Sequence, residues 1–238
     1  MKFEAAAISE VGPRRVNEDK LAYWTPAPGT LIAAIADGLG GMGGGSTASE
    51  IAVETLRRKL DCAPISTSQL EAATEQAHAD VVTAQKASTM LRNMATTLTA
   101  GVFSQRGLIG VHCGDTRASI ARGNGIKKLT RDHSEGERLY RAGKLTKDEL
   151  RDYPRKNVLD SALGVHDRPK IDTFEFDLIP CDKVFFTTDG VHGKLFLREL
   201  RDIANQHDSA QRFVAEIAEV VKSRSPEDNF SILAVFVH

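Results

Sequence analysis

An apolar run that stops on an acid and opens into glycines limits this chain more than any other stretch. Leu31-Ile32-Ala33-Ala34-Ile35-Ala36 ends at Asp37, and Gly38, Gly40, Gly41, Gly43, Gly44 and Gly45 follow. A short apolar run bounded by glycines predicts a buried strand. An ionised acid at its end is costly unless a cation meets it. The glycines clear side chains from beside the acid, so a ligand or metal ion can come close to the backbone. Three readings fit this stretch alone. Gly38-Leu39-Gly40-Gly41-Met42-Gly43 matches G-x-G-x-x-G, the dinucleotide fingerprint. Asp37 could instead hold a hydrated metal ion, or the stretch is a flexible loop with an exposed acid.

The rest of the chain narrows the choice. Short strands are expected at residues 3–8 and 21–24, with Gly12-Pro13 breaking the first. Pro26, Pro28 and Gly29 are expected to form the turn into the central run. Ala48, Ile51, Ala52, Leu56 and Leu60 recur at helical spacing. A second helix, reaching about residue 87, places Leu70, Ala73, Ala77 and Val81 on one face; Ser68-Gln69-Leu70-Glu71 has the form of a capping box at its start. Apolar runs at 95–103, 108–113, 118–121 and 126–129 are then separated by tight turns, including Gly123-Asn124-Gly125. Consecutive antiparallel strands predict a sandwich rather than a doubly wound parallel sheet. Residues 131–160 form a charged interruption, expected to be a functional flap. Strands are expected again at 171–176, 183–188 and 230–237, and helices at 196–204 and 213–221. No repeat or linker divides the chain, so residues 1–238 are expected to form a single domain.

Composition excludes several classes. Lysine and arginine number 31 against 32 aspartates and glutamates, which gives no electrostatic argument for nucleic acid or an anionic membrane as partner. Cys62, Cys113 and Cys181 are scattered, which fits neither a disulfide framework nor a structural zinc site. The first 15 residues are too poor in apolar side chains for a signal peptide. No run approaches the roughly 20 apolar residues of a spanning helix. A reduced, cytoplasmic setting is expected.

Acids recur where strands end. Val184-Phe185-Phe186-Thr187-Thr188 runs into Asp189-Gly190, a near copy of the first stretch. Asp228-Asn229 precedes the last strand, Asp19 an early one, and Gly114-Asp115-Thr116-Arg117 lies in a turn. Any one of these is an ordinary turn residue. As a set they can gather at one edge of a sandwich, where repulsion raises each carboxyl's pKa. Divalent cations relieve that repulsion, and oxygen-only ligation favours magnesium or manganese over zinc. A two-metal site can clamp phosphate and ready water as the nucleophile. Arg14, five residues before Asp19, is available to orient phosphoryl oxygens.

Taken in order, these stretches resemble the metal-dependent serine/threonine protein phosphatases of the type-2C family in their compact bacterial form. The matching segments are residues 14–19 (R-x-x-N-E-D), Asp37-Gly38-Leu39-Gly40-Gly41, Ala95-Thr96-Thr97, Gly114-Asp115-Thr116-Arg117, residues 129–134 (LTRDHS), residues 157–164, Asp189-Gly190 and Asp228-Asn229. The resemblance implies an α+β fold, a four-layer αββα sandwich of two antiparallel sheets flanked by helices, with the metal centre at one end. It implies hydrolysis of phosphoserine and phosphothreonine in proteins by in-line attack of metal-activated water. The centre would hold two manganese or magnesium ions per chain. By this likeness Asp37 bridges the ions, and Gly38 offers its carbonyl to one. Asp189 and Asp228 hold the other, and Asp19 ligates it or orders its waters. Arg14 binds the substrate phosphate. Asp115, with Asp189, matches the place of a third, looser ion. Residues 131–160 would be the flap shaping access. The implied partners are phosphoprotein substrates and an opposing serine/threonine kinase, and a monomer is expected.

One departure bears on mechanism. Many relatives carry a histidine soon after Asp-Gly to protonate the leaving group, but here Leu39 and Met42 stand in the candidate places. A positioned acid contributes about 10²–10⁴-fold. Water, His133 or His192 must supply the proton, or the enzyme is slow; water is the expected source. The rival reading is a noncatalytic phosphatase-like domain that binds a phosphoprotein or regulatory partner, against which the intact acid set argues. A dinucleotide site would place an acid about twenty residues after the glycines in a βαβ unit, and a P-loop would end in Gly-Lys-Ser/Thr. Neither pattern is present. His112 is expected to be a hydrogen-bonded core residue and Trp24 a packing residue. Nothing beside Cys113 promises a reactive thiolate.

Overall fold

Two antiparallel sheets lie face to face with helices on both outer sides in this computed structural model, in which all residues but 41–43 and 166 are described. One sheet runs β1 (Phe3–Glu10), β11 (Phe230–Val237), β10 (Lys183–Thr187), β7 (Arg117–Arg122), β8 (Gly125–Lys128). The other runs β2 (Asp19–Ala27), β3 (Thr30–Leu39), β5 (Leu98–Ser104), β6 (Gly107–Cys113), β9 (Asp172–Phe176), and β4 (Ala95–Thr96) pairs with the end of β3.

Strand alternation sorts the apolar residues into layers. Leu31, Ala33 and Ile35 of β3 pack between the sheets with Phe103, Phe186 and Leu233. Ile32, Ala34 and Ala36 pack outward against α1 (Gly44–Lys59) and α2 (Thr67–Ala87) through Val53, Leu56, Leu70 and Ala73. Burial on both faces is why this strand reads as an unbroken apolar run. On the opposite side α6 (Leu197–Ala204) and α7 (Ala210–Ser223) cover the first sheet, with the Phe213 ring 4.8 Å from that of Phe185. The expected αββα sandwich is the observed architecture. Among the described residues no helix is long and apolar enough to cross a membrane.

Several local expectations are corrected. The capping box of α2 is built on Ser66 and Gln69, not on Ser68 and Glu71. Starting there lets Leu70 reach the core within the first turn. Strand β2 continues through Pro26, with a register shift between Trp24 and Ala27; an edge strand tolerates proline at such an irregularity. Strand β3 runs on through Asp37 and Gly38 to Leu39 instead of ending at the acid, because Asp19 pairs with Asp37 and Thr96 with Gly38. Asp189 does not close a strand; it opens the short helix α5 (Asp189–His192). Residues 131–160 contain α3 (Glu135–Arg141) and α4 (Lys147–Asp152), and a bridge between Ser134 and Leu159 draws the two ends together. His112 is a core residue as expected, its ring bonded to Thr99 and to the Arg131 carbonyl. Cys113 is fully buried, which pushes its thiol up to about 12.

Candidate metal centre

Strand register brings the first two acids together. Asp19 on β2 stands directly opposite Asp37 on β3. Like charges in that relation destabilise a sheet. Both share the parity of Leu21 and Ile35, residues of the inter-sheet layer, so both carboxylates belong to the seam between the sheets. The first sheet supplies the others. Thr187 at the end of β10 pairs with Arg117 on one side and Ile232 on the other. Asp189 follows that end, Asp228 precedes β11, and Asp115 lies in the turn by which the chain passes from β6 to β7. All five predicted acids therefore reach one end of the sandwich.

Their titration records the crowding. Burial pushes the Asp37 carboxyl well above its ordinary value, and the charges of Asp19, Asp189, Asp115 and Asp228 push it further. Asp19 is pushed up to about 7 by burial, with Asp189 and Asp228 adding to the rise while hydroxyls of Ser231 and Thr188 oppose it. Asp115 is also pushed up to about 7, by burial and then by Asp189 and Asp132, against the pull of Arg117. Asp189 is raised by burial and by Asp228. Arg14 reaches this group from solvent: its Nη2 donates to Asp228 Oδ2 at 2.8 Å, and its Nε donates to the Glu227 carbonyl at 3.3 Å.

The backbone around these acids is held by residues that the sequence did not single out for that role. The Asp37 N–H donates to Thr97 Oγ1 at 2.8 Å, and its carbonyl accepts from the Thr97 N–H at 2.9 Å and Thr96 Oγ1 at 3.0 Å. The Glu18 carbonyl accepts from the Gly38 N–H at 3.1 Å and from Ser49 Oγ at 2.6 Å. A Cβ on Gly38 would stand 2.2 Å from the Gly45 carbonyl oxygen and 2.6 Å from that of Glu18, so no larger residue fits. Thr188 Oγ1 donates to Asp19 Oδ2 at 3.0 Å and accepts from the Ser231 N–H. Ala95-Thr96-Thr97 was the one signal for this support, and it carried no role.

These residues fit a hard divalent cation. The carboxylates that meet here form a donor set of oxygens alone. Among the described residues no three His, Cys, Asp or Glu side chains close tightly enough to cage one ion by themselves. Oxygen donors suit ions which keep several waters, as magnesium does, and not a closed zinc site. His133 has both ring nitrogens engaged: Nδ1 accepts from the Gly114 N–H at 3.3 Å and Nε2 bonds Asp172 Oδ2 at 3.0 Å. His192 is held well below its ordinary pKa by burial and by Arg117, and its Nδ1 pairs with Thr187. Met42, the other position bearing on the leaving-group proton, lies outside the described residues.

Comparison with known proteins points the same way. The family described as Protein phosphatase 2C matches residues 13–233. Protein phosphatase PhpP of Streptococcus pneumoniae is 31% identical over 211 residues, 84% of this chain and 84% of that one. The PPM Ser-Thr phosphatase MsPP of Mycobacterium smegmatis, solved with cacodylate, is 29% identical and superposes with a TM-score of 0.85 over 99% of this chain and 98% of its own. The catalytic domain of the serine threonine protein phosphatase PstP, solved with two manganese ions, shares the fold at a TM-score of 0.85 and 24% identity, covering 99% of this chain and 98% of that domain.

Proposed function

Since this chain belongs to the protein phosphatase 2C family and is a serine/threonine protein phosphatase by that membership, we propose that it works by in-line attack of water on phosphoserine and phosphothreonine at a binuclear manganese or magnesium centre. Asp37 bridges the two ions in this reading, and Gly38 offers its carbonyl to one of them. Asp189 and Asp228 hold the second, and Asp19 ligates it or orders its waters. Asp115, with Asp189, accommodates a third. Bound divalent ions offset the acids' repulsion, polarise phosphoryl oxygens and lower the pKa of a ligated water. Arg14 binds the substrate phosphate and orients it for displacement. His133 is engaged at both nitrogens, so water in the cleft protonates the departing alkoxide. Residues 131–160 shape access for the phosphoprotein. The setting is a cytoplasmic monomer acting against a serine/threonine kinase.

One observation carries the reading: five carboxylates from both sheets converge at one end of the sandwich, where burial and neighbouring acids push Asp19, Asp37, Asp115 and Asp189 above their ordinary values, and Arg14 donates to Asp228. The complete set supports catalysis over the noncatalytic alternative. The test is phosphate release from a phosphothreonine peptide with manganese added, then with chelator. Release is expected to stop in chelator and return with manganese; undiminished release in chelator would discard the mechanism.

A further inference from the structure

Asn229 follows a proposed metal ligand, yet its side chain is committed elsewhere. Its Nδ2 donates to the Val11 carbonyl at 2.7 Å and the Val16 carbonyl at 3.0 Å, and its Oδ1 accepts from the Glu18 N–H at 2.8 Å. These three groups belong to residues 11–18, the segment that links β1 to β2 and carries Arg14. Two donors and one acceptor on a short planar amide meet two carbonyls and one N–H, which also settles the amide's orientation. Aspartate would set an oxygen against the carbonyls, and alanine or serine would leave buried groups unpaired. Asn229 is itself buried, at 6% exposure.

Two further contacts tie this segment to the same place. The Val11 carbonyl that Asn229 binds also accepts from the Arg14 N–H at 3.3 Å, closing the turn on which Arg14 stands. Gly12 has φ +58°, and a Cβ there would lie 2.3 Å from the Asp228 carbonyl oxygen. The turn thus lies directly against the Asp228-Asn229 backbone. Arg14 itself is exposed, and its guanidinium is held by the bonds to Asp228 and the Glu227 carbonyl. Its aim depends on where its backbone is held.

We propose that Asn229 is the positioning residue for Arg14. By gripping residues 11–18 it places the guanidinium over Asp228, so the strand that delivers an acid to the centre also sets the phosphate clasp. This inference rests on the reading of Arg14 as the phosphate ligand. It assigns to Asn229 no contact with substrate.

The test is a double-mutant cycle on the manganese-loaded protein, read by calorimetric binding of inorganic phosphate, with manganese affinity measured separately by the spin-resonance signal of the free ion. Asn229→Ala and Asn229→Asp are each expected to weaken phosphate binding about tenfold, raising KM for p-nitrophenyl phosphate more than they lower kcat. Manganese affinity is expected to stay within about twofold, since the Asn229 N–H to Asp228 Oδ1 bond survives both changes. In the Arg14→Ala background Asn229→Ala is expected to add nothing. Equal losses with and without Arg14, or wild-type phosphate affinity in both Asn229 variants, would overturn the proposal. Should Asn229→Ala fail to fold, the isosteric Asn229→Asp carries the same cycle. Unchanged phosphate affinity in Arg14→Ala alone would overturn the assignment of Arg14 itself, a result distinct from any failure of Asn229.

Discussion

Asp132 and Asp182 are shielded from solvent, as Asp19 of the cleft is, and their situation is the reverse. Asp132 accepts from Arg117 Nε at 3.0 and 3.1 Å and from Lys128 at 3.2 Å. Burial alone would raise its carboxyl, but those two cations hold it well below the usual carboxylate range. Asp182 has no exposure and is gripped by Arg122 through two bonds of 2.7 Å. At the other acids the nearest charges are mostly other acids. The contrast separates two uses of a buried carboxylate. One folds together with its cation and is complete; the other set is left electrostatically unfinished by the chain.

Neutralising one acid of each kind puts this contrast at risk. Asp37→Asn is expected to lower turnover by more than about 10³-fold, while the chelated protein becomes more resistant to urea because a repelling charge is gone. Asp132→Asn is expected to destabilise the chelated protein by about 3 kcal/mol, since it leaves Arg117 without its partner. Urea titrations in chelator decide this; shifts of the same sign in both variants would end the distinction.

Acidity sharpens it further. Asp19 and Asp115 rise from an ordinary value of 3.8 to about 7 in the fold. The folded chain therefore binds more protons than the unfolded one between those values, and stability falls as pH rises through that window. The penalty is absent below about 3.8 and complete above about 7. Glu199, paired with Arg224, goes the other way: lowered from 4.5 to about 2, it contributes stability above the first value that is lost as pH falls toward the second. Urea midpoints across pH 4–7 should slope downward in chelator and lose that slope in manganese. An identical slope in both conditions would contradict the account. The smallest effect concerns support. Thr97→Val removes the acceptor for the Asp37 N–H and is expected to weaken manganese binding about tenfold. Thr97→Ser should restore it, and a Val variant that binds manganese normally would show that Asp37 needs no such holding.

What could be read from the chain was whatever depends on local pattern. The last strand is legible at its observed bounds because Ser231 is the one polar residue in the apolar run 230–237, and the hairpin at Gly123 because its φ of +53° suits glycine. The acids were legible as a set because each sits beside a strand terminus. Contacts made across the fold were not legible. The choice of Ser66 over Ser68 as helix cap depends on where Leu70 must be buried. The continuation of β3 through Asp37 depends on partners at Asp19 and Thr96. Thr97, Thr188 and Asn229 act on backbone groups up to 218 residues away, and no spacing along the chain announces that.

The pairing of Asp19 with Asp37 has a consequence for which length changes the protein can survive. Side chains in a strand alternate faces, so losing one residue from 31–36 would turn the Asp37 carboxylate out toward α1. The chain would then be disarmed with every named site residue still present. The opposite end of the same pair already absorbs an irregularity between Trp24 and Ala27. Extra residues near that turn would shift nothing at the acids. Natural variation in length should therefore collect at one end of this strand pair and be barred from the other.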